Sequence, residues 1–393
     1  MTERSAPSPG TTAVVPSLSP ANGREMGGGA GAPVNLFGLD REQLRAVFAE
    51  RGEKPYRADQ IMQWIYRRGR NSFDEMSNIS KDLRNKLSVW FEIRTPELVT
   101  EQVSQDGTRK WVLRLDGGNA IETVYIPEEG RATLCISSQV GCAMDCSFCS
   151  TAQQGFNRNM TTAEIVAQVW FAARTLGGDF QNERVISNIV FMGMGEPLAN
   201  YNAVLPAIRI LLDDFGFGLS KRRVTVSTSG LVPFMDRLRE DVDTALAVSL
   251  HAPNDALRSE LVPINRKYPI AELLAACRRY TADKDRKAHI VYEYVMLDGI
   301  NDRPEHAREL AKLLGGMSAK VNLIPFNPFP QAQYRRSKPE TIQAFSKVLR
   351  DKGVLTMTRK TRGDDIDAAC GQLVGKVTSR QKNRLGDIPV VAR

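Results

Sequence analysis

Hydrophobic positions along the chain change their period three times. From Asp40, the residues Leu44, Val47 and Phe48 recur at helical spacing, followed by Ile61, Trp64 and Ile65 and then Leu83, Leu87 and Phe91. This predicts a small helical module ending before Pro96. Between 98 and 126 the period falls to two, and 110–115 and 121–126 are the clearest strands. From Thr133 onward short apolar runs alternate with longer helical patterns, the form of repeated βα units on a parallel sheet. The expected strands are 133–138, 186–192, 223–228, 245–250, 290–296 and 320–325. The expected helices are 163–176, 201–214, 233–240, 270–282 and 303–314, with a last helix near 339–350 and a strand near 354–359. The fold class is therefore α/β, a partial (β/α)6 TIM-like barrel with an N-terminal helical domain and a β extension. The strand count leaves a full eight-stranded barrel open. In either barrel the site belongs at the C-terminal ends of the strands.

The same pass divides the chain. Residues 1–33 are rich in Pro, Gly, Ser, Thr and Ala and cannot bury enough apolar surface to order themselves, so a disordered tail is expected. The helical domain follows at 34–95, the β extension at 96–132, the barrel core at 133–365 and a C-terminal tail at 366–393. Composition adds exclusions. The 393 residues are 42% hydrophobic and 25% charged, which fits neither wholesale disorder nor a coiled coil. No apolar run approaches the ~18 residues of a membrane span, and the N-terminus lacks the apolar stretch of a signal peptide. The expectation is a cytoplasmic protein with reduced thiols and no membrane partner.

Six cysteines are too sparse for a disulfide scaffold, so position matters more than number. Cys142, Cys146 and Cys149 lie in one loop after the first barrel strand, spaced C-x₃-C-x₂-C, close enough to wrap a single metal centre. A zinc knob completed by histidine, or buried structural cysteines, are the plain alternatives. No histidine lies nearby, and Gly, Asp and Ser flank the thiols. A [4Fe–4S] cluster with three cysteine ligands leaves one iron free for another ligand, such as the amino and carboxylate groups of a methionine. Gly193-Met194-Gly195-Glu196-Pro197 closes the second strand, where glycines let backbone approach a ligand or simply make a tight turn. Ser227 to Gly230 end the third strand and Ser249 to Ala252 the fourth. Ser229 is read as a helix cap. His251 could do acid–base work or hydrogen-bond ribose or backbone.

With Phe148 before its last cysteine, the cysteine motif resembles the signature of radical S-adenosylmethionine (SAM) enzymes, whose partial barrel the six βα units match. The resemblance implies a [4Fe–4S] cluster on Cys142, Cys146 and Cys149 that passes an electron to SAM and so generates a 5′-deoxyadenosyl radical. It also implies that Gly195, Glu196, Ser227, Ser249, Leu250, His251 and Asn327 contact SAM. Five longer stretches narrow it further: C-I-S-S-Q-V-G-C from Cys135, C-S-T-A-Q-Q-G-F-N-R from Cys149, G-M-G-E-P, S-L-H-A-P-N-D, and R-K-T-R-G-D-D-I-D-A-A-C-G-Q-L ending at Leu373. Over about 36–385 the chain resembles the RlmN/Cfr family of RNA adenine methyltransferases.

That resemblance implies methylation of C2 of one adenosine in 23S rRNA and of the adenosine 3′ to the tRNA anticodon, or of C8 in the Cfr branch. It further implies an electron donor such as flavodoxin and a monomeric enzyme. C2 of adenine is an amidine carbon without a lone pair to offer, so displacement on the SAM sulfonium is closed to it and a radical route is required. By the family mechanism, Cys370 takes a methyl group from a first SAM. The radical from a second SAM removes a hydrogen from that methyl, the carbon adds to C2, the adduct loses an electron, Glu122 accepts the C2 proton, and Cys135 attacks the Cys370 sulfur to release the RNA and leave a disulfide. Read alone, Cys370 sits in an exposed acidic segment and Glu122 in an alternating strand that could face solvent. Cys277, in an apolar helix, reads as structural.

The formal charge of +8 is modest, but it concentrates in Arg67 to Arg70, 221–223, Arg335-Arg336, 359–362 and 380–384. The module at 40–95, with Arg57, Trp64, Tyr66 and its arginines, is the first candidate for RNA docking. A non-catalytic zinc-stabilised RNA-binding module remains the alternative from another class.

Overall fold

The computed structural model describes residues 32–177, 185–282 and 289–374. The expected tail at 1–33 and the basic cluster at 380–384 lie outside them, apart from the last two residues of the former.

Two residues of β1 (Val34–Asn35) lead into three helices, α1 (Arg41–Glu50), α2 (Tyr56–Met62) and α3 (Lys81–Trp90), and β2 (Phe91–Glu92) returns to pair with β1. Asp40 starts α1 through a capping box: its carboxylate accepts from Gln43 N and the Gln43 side chain accepts from Asp40 N. This module shares its core with the barrel. Trp170 donates its indole N–H to the Ile65 carbonyl, and Phe37 packs on Tyr66 and Trp170. Arg67 donates to the Asp214 carbonyl and Arg41 pairs with Asp213.

The β extension is an antiparallel meander of β3 (Glu97–Val103), β4 (Arg109–Arg114) and β5 (Ala120–Glu128), which continues through β6 (Arg131–Cys135), the first strand of the barrel. Next comes a hairpin absent from the sequence reading, β7 (Gln139–Gly141) against β8 (Phe156–Asn159), with the short helix α4 (Ser150–Gln153) between. After α5 (Thr162–Thr175) the βα units run β9 (Asn188–Phe191), α6 (Tyr201–Leu212), β10 (Val224–Thr228), α7 (Val232–Asp241), β11 (Ala245–Ser249), α8 (Asp255–Leu261) and α9 (Ile270–Thr281). They finish with β12 (Ile290–Met296), α10 (Pro304–Leu313), β13 (Ala319–Pro325), α11 (Pro339–Asp351) and β14 (Leu355–Thr358).

The sheet order is β14-β13-β12-β11-β10-β9-β6-β5-β4-β3, parallel from β14 to β6 and antiparallel beyond. The barrel is thus an open one of six βα units plus β14, as expected. Its strands turn apolar residues outward against the covering helices and polar ones such as Thr225, Glu293 and Asn322 inward to the cavity, whereas β3 at the far edge is exposed along its whole length. The first barrel strand is shorter than the expected 133–138. It ends at Cys135 because residues 136–138 leave the sheet to enter the hairpin.

Candidate active site

The cysteine loop is clamped by the β7–β8 hairpin. Gly141 (φ 76°) and Gly155 permit the closure, since a Cβ on Gly141 would lie 1.9 Å from the Gly155 carbonyl oxygen. Inside the loop, Cys142 N donates to Gly155 O and Cys149 N to Cys146 O, while Ser147 N reaches Leu261 O and Tyr334 donates its hydroxyl to Ser147. Burial raises all three thiol pKa values, and the negative charge of the neighbouring thiolates adds to the rise at Cys142 and Cys146. Three thiolates crowded in this way call for a compensating cation, which an iron–sulfur cluster supplies. Among the described residues no three His, Cys, Asp or Glu converge at the spacing of a single metal ion. Three thiols on one short loop fit the ligand set of an iron–sulfur cluster that leaves one iron open.

The glycine motif meets the chain itself. A Cβ on Gly193 would stand 2.7 Å from the Ile136 carbonyl, and one on Gly195 (φ 96°) 2.4 Å from Gln139 Cβ. The close approach is to the segment between β6 and β7, which the motif locks beside the cluster loop. Glu196 is buried, and burial raises its pKa; its carboxylate accepts from Ser229 N and Oγ and from Leu198 N. Ser229 is therefore not the expected helix cap; α7 has no side-chain cap, and the Thr228 hydroxyl, accepting from Gly230 N and Leu231 N, closes the turn before it. Ser227 and Ser249 are half-buried at the ends of β10 and β11, and Leu250 is buried beside them.

His251 is buried in a left-handed backbone conformation (φ 59°), with its ring edge-on to Phe148 at 4.6 Å. Nδ1 accepts from Val295 N at 3.0 Å, so the proton resides on Nε2. Burial, aided by the nearby Arg258 charge, pushes its pKa down to about 3. It is a neutral ring at physiological pH. The bond to Val295 N is a backbone hydrogen bond of the kind read from the sequence.

The two distant thiols meet. Cys135, at the end of β6, and Cys370 line one cavity of about 430 Å³ that runs along the barrel interior and is also bordered by Val124, Met192, Asn327 and Arg359. Both are free, Cys135 buried and Cys370 half-buried. Burial pushes the Cys135 thiol up to about 12; Cys370 adds to the rise and Arg359 opposes it. Glu122 belongs to the same face of β5 as Val124 and Ile126, two residues beyond the Val124–Cys135 pair and toward the mouth. It is buried rather than solvent-facing, accepts from Val374 N at 3.2 Å and lies 3.7 Å from Lys110 Nζ.

The segment around Cys370 is tied from several sides. Asn327 Nδ2 donates to Cys370 O, Ser150 N to Gly371 O, Thr151 Oγ1 to Leu373 O, and Lys110 Nζ to Asp367 O. Its acidic residues are engaged elsewhere: Asp365 accepts from Ser104 and Gln105 in the β3–β4 turn, and Asp364 lies near Arg336. Asp106 in the same turn accepts from Gly363 N. Asn327 thus holds the Cys370 backbone and also accepts from Arg336.

Sequence reasoning missed Lys110 and Arg258 as site residues, because an isolated basic residue in a strand or helix carries no spacing signal, and Arg359, read there as part of a basic cluster for RNA, instead lines the cavity with the two thiols. It also misjudged Trp64 and Tyr66, which are buried in the core and unavailable for base stacking. Arg67 and Arg336 are bound to backbone carbonyls, whereas Arg68, Arg70 and Arg335 are exposed.

Residues 34–93 match the family model for the ribosomal RNA large subunit methyltransferase N-terminal domain, and residues 136–313 match that of the radical SAM superfamily. The chain is 58% identical over 351 residues to the dual-specificity RNA methyltransferase RlmN of Alkalilimnicola ehrlichii, covering 89% of this chain and 96% of that one. It is 57% identical to the protein of that name from Alcanivorax borkumensis, covering 89% and 92%. A crystal structure of a radical SAM methyltransferase from Sphaerobacter thermophilus superposes with a TM-score of 0.80 at 47% identity, over 87% of this chain and 99% of that one. The chain belongs to the RlmN family of radical SAM methyltransferases.

Proposed function

We propose that this enzyme methylates C2 of one adenosine in 23S rRNA and of the adenosine 3′ to the anticodon in tRNA, with Cys370 as methyl carrier. The observation that carries this reading is that Cys135 and Cys370, distant in sequence, line one cavity, and that Ser150 N, next to Cys149, donates to the carbonyl of Gly371, next to Cys370. Cys142, Cys146 and Cys149 would hold a [4Fe–4S] cluster, and the ends of β9, β10, β11 and β13 would hold SAM. Together these groups supply a methyl group and, by one-electron cleavage of SAM, the means to remove a hydrogen atom.

The chain's own residues do the rest. Cys370 carries the methyl on sulfur and presents its carbon to C2, while the backbone bonds from Asn327 and Ser150 fix its position. Glu122 takes the C2 proton. Once the adduct has also given up one electron, which the oxidised cluster would accept, the Cys135 thiolate bonds to the Cys370 sulfur. The electron pair of the broken carbon–sulfur bond goes to the carbon on C2, which takes up a proton to become the methyl group, and a disulfide is left for cellular thiols to reduce. The exposed Arg68, Arg70 and Tyr56 of the helical module offer phosphate and base contacts for RNA. A monomer served by a protein electron donor such as flavodoxin fits this scheme, as does a cytoplasmic location. No helix among the described residues is long and apolar enough to cross a membrane.

The test is anaerobic reconstitution followed by mass spectrometry of nucleosides from rRNA and tRNA. We expect 2-methyladenosine in both from the wild type and in neither from Cys370→Ala. Full-rate methylation by Cys370→Ala overturns the carrier role, and 8-methyladenosine overturns the regiochemistry.

A further inference from the structure

Arg258, in the short helix α8, is fully buried, with 0% of its surface exposed. Its hydrogen bonds go to uncharged acceptors: Nε to Leu250 O at 3.2 Å, Nη2 to Ser229 O at 2.6 Å and Ser249 O at 3.1 Å, and Nη1 to Asn265 Oδ1 at 2.9 Å. A buried guanidinium normally has an anion against it, because neutral acceptors do not repay the loss of its hydration. Among the described residues the nearest carboxylates are reached only through a neutral intermediary. Asp255 accepts from the far side of Asn265, and Glu196 accepts from the Ser229 N–H and hydroxyl. Burial draws the guanidinium down to about 10, which still leaves it charged at neutral pH.

The charge faces the cysteine loop. The carbonyl of Leu261, which ends Arg258's own helix, accepts from Ser147 N, next to Cys146. Phe148 packs on His251, the residue after the Ser249–Leu250 pair whose carbonyls Arg258 holds. A [4Fe–4S] cluster on three thiolates becomes one unit more negative when it takes an electron, and the charge around a cluster is one of the protein's means of setting its potential. A cation fixed in a low-dielectric interior stabilises the more negative state.

We propose that Arg258 is a positioning residue that acts electrostatically, as a buried cation fixed on the carbonyls of β10 and β11 that raises the reduction potential of the iron–sulfur cluster. The step is transfer of one electron from a low-potential one-electron donor to the oxidised cluster, with no bond made or broken in the protein. The inference rests on the cluster reading given under the proposed function.

The test is a potentiometric titration with dithionite, followed by electron paramagnetic resonance of the reduced cluster. It is done without SAM or RNA, so methyl transfer plays no part. Arg258→Gln, which keeps a donor and loses the charge, is expected to lower the midpoint by about 59 mV, a tenfold change in the one-electron equilibrium. Arg258→Lys should stay nearer the wild type than to the glutamine variant. Asn265→Asp puts a carboxylate on the existing Nη1 contact and should shift the midpoint in the same direction as the glutamine variant. If the glutamine variant loads iron like the wild type and keeps its potential, the inference is wrong. If that variant does not fold, an unchanged potential in Asn265→Asp overturns it equally. A wild-type protein that takes up no iron overturns the cluster reading instead, and the two failures are distinguishable.

Discussion

The cysteine loop and the carrier segment are built from the same kinds of residue, small, polar and glycine-rich around thiols, yet they are held in opposite ways. The loop is local: a two-stranded hairpin closes it, and its three thiols stand close enough for burial and mutual repulsion to oppose their ionisation. The carrier segment is anchored by distant elements, from the β3–β4 turn through Asn327 on the barrel rim to α4 beside the loop itself. A site that must bind a multiply charged group can be prepared within one loop. A thiol that, on the proposed mechanism, visits two partners in turn, a methyl donor and an RNA base, needs a position defined by the whole fold.

The comparison is broken most severely at the loop. Cys146→Ala removes one of three ligands that act as a unit, so both iron content and RNA methylation should fall to background, measured by iron and sulfide analysis and by nucleoside mass spectrometry. Normal iron content in this variant would rule out the three-thiol cluster. The carrier pair should fail differently. Cys135→Ala leaves the cluster, the carrier and the base in place and removes only the group that frees the RNA, so a covalent adduct of RNA on Cys370 should accumulate, visible as a retarded band in denaturing gels. Because burial holds the Cys135 thiol up near 12, its thiolate fraction grows about tenfold per pH unit across the neutral range. Release of RNA by the wild type in a single turnover should accelerate from pH 7 to 9, and a pH-independent release would argue against Cys135 as the attacking thiol.

How much of this was legible in the sequence follows the same division. The βα alternation and the spacing of Cys142, Cys146 and Cys149 are local signals, and periodicity read the order of the barrel correctly. The hairpin that clamps the loop was missed because its strands are only three and four residues long and its closure depends on Gly141 facing the Gly155 carbonyl. The meeting of Cys135 with Cys370 is invisible to any period, and only the resemblance to a family suggested it. Trp64 and Tyr66 misled for a related reason: an aromatic residue among arginines reads as a stacking surface until Tyr66 is seen packed on Phe37 and Phe217, and Trp64 buried with its indole N–H on Asn78. Glu122 reads as surface because strand alternation says which residues share a face, not which face is covered.

A smaller change sharpens the anchoring of the carrier. Burial works against ionisation of Asp106, but hydrogen bonds from Thr108, Gly363 and Ser104 outweigh it and hold the carboxyl at about 2, below its ordinary 3.8. A carboxylate depressed in this way stabilises the folded state above pH 4, and that contribution disappears as the pH falls through 2. Asp106→Asn weakens the tie to Gly363, so it should cost about 1 kcal/mol after allowance for solvent at this exposed turn. The difference in denaturation midpoint from the wild type should narrow below pH 4. The methylated fraction of Cys370, read by intact mass, should fall several-fold while iron content stays unchanged. A fall in iron content together with methylation would show that the two regions are not held independently.

The mildest effect is expected at His251, which touches the loop through Phe148 and is held by Val295 and Asn301. Asparagine tolerates the left-handed backbone there, and its Oδ1 can accept from Val295 N as Nδ1 does. His251→Asn therefore loses chiefly the edge-on contact with Phe148, about 1 kcal/mol. Methylation at pH 7.5 should stay within about tenfold of the wild type. The pH dependence of stability separates the bland role from a chemical one. A histidine held at about 3 when folded, against 6.5 when unfolded, contributes stability that is complete above pH 6.5 and is lost as the pH falls toward 3. Between pH 6.5 and 5 the wild type should lose about 2 kcal/mol that the asparagine variant does not lose, so their thermal midpoints should converge and cross. The pH profile of methylation should be unchanged by the substitution. A limb near pH 6.5 that vanishes in His251→Asn would make the imidazole a proton carrier after all, and a neutral ring bonded to Val295 could not be the whole of its role.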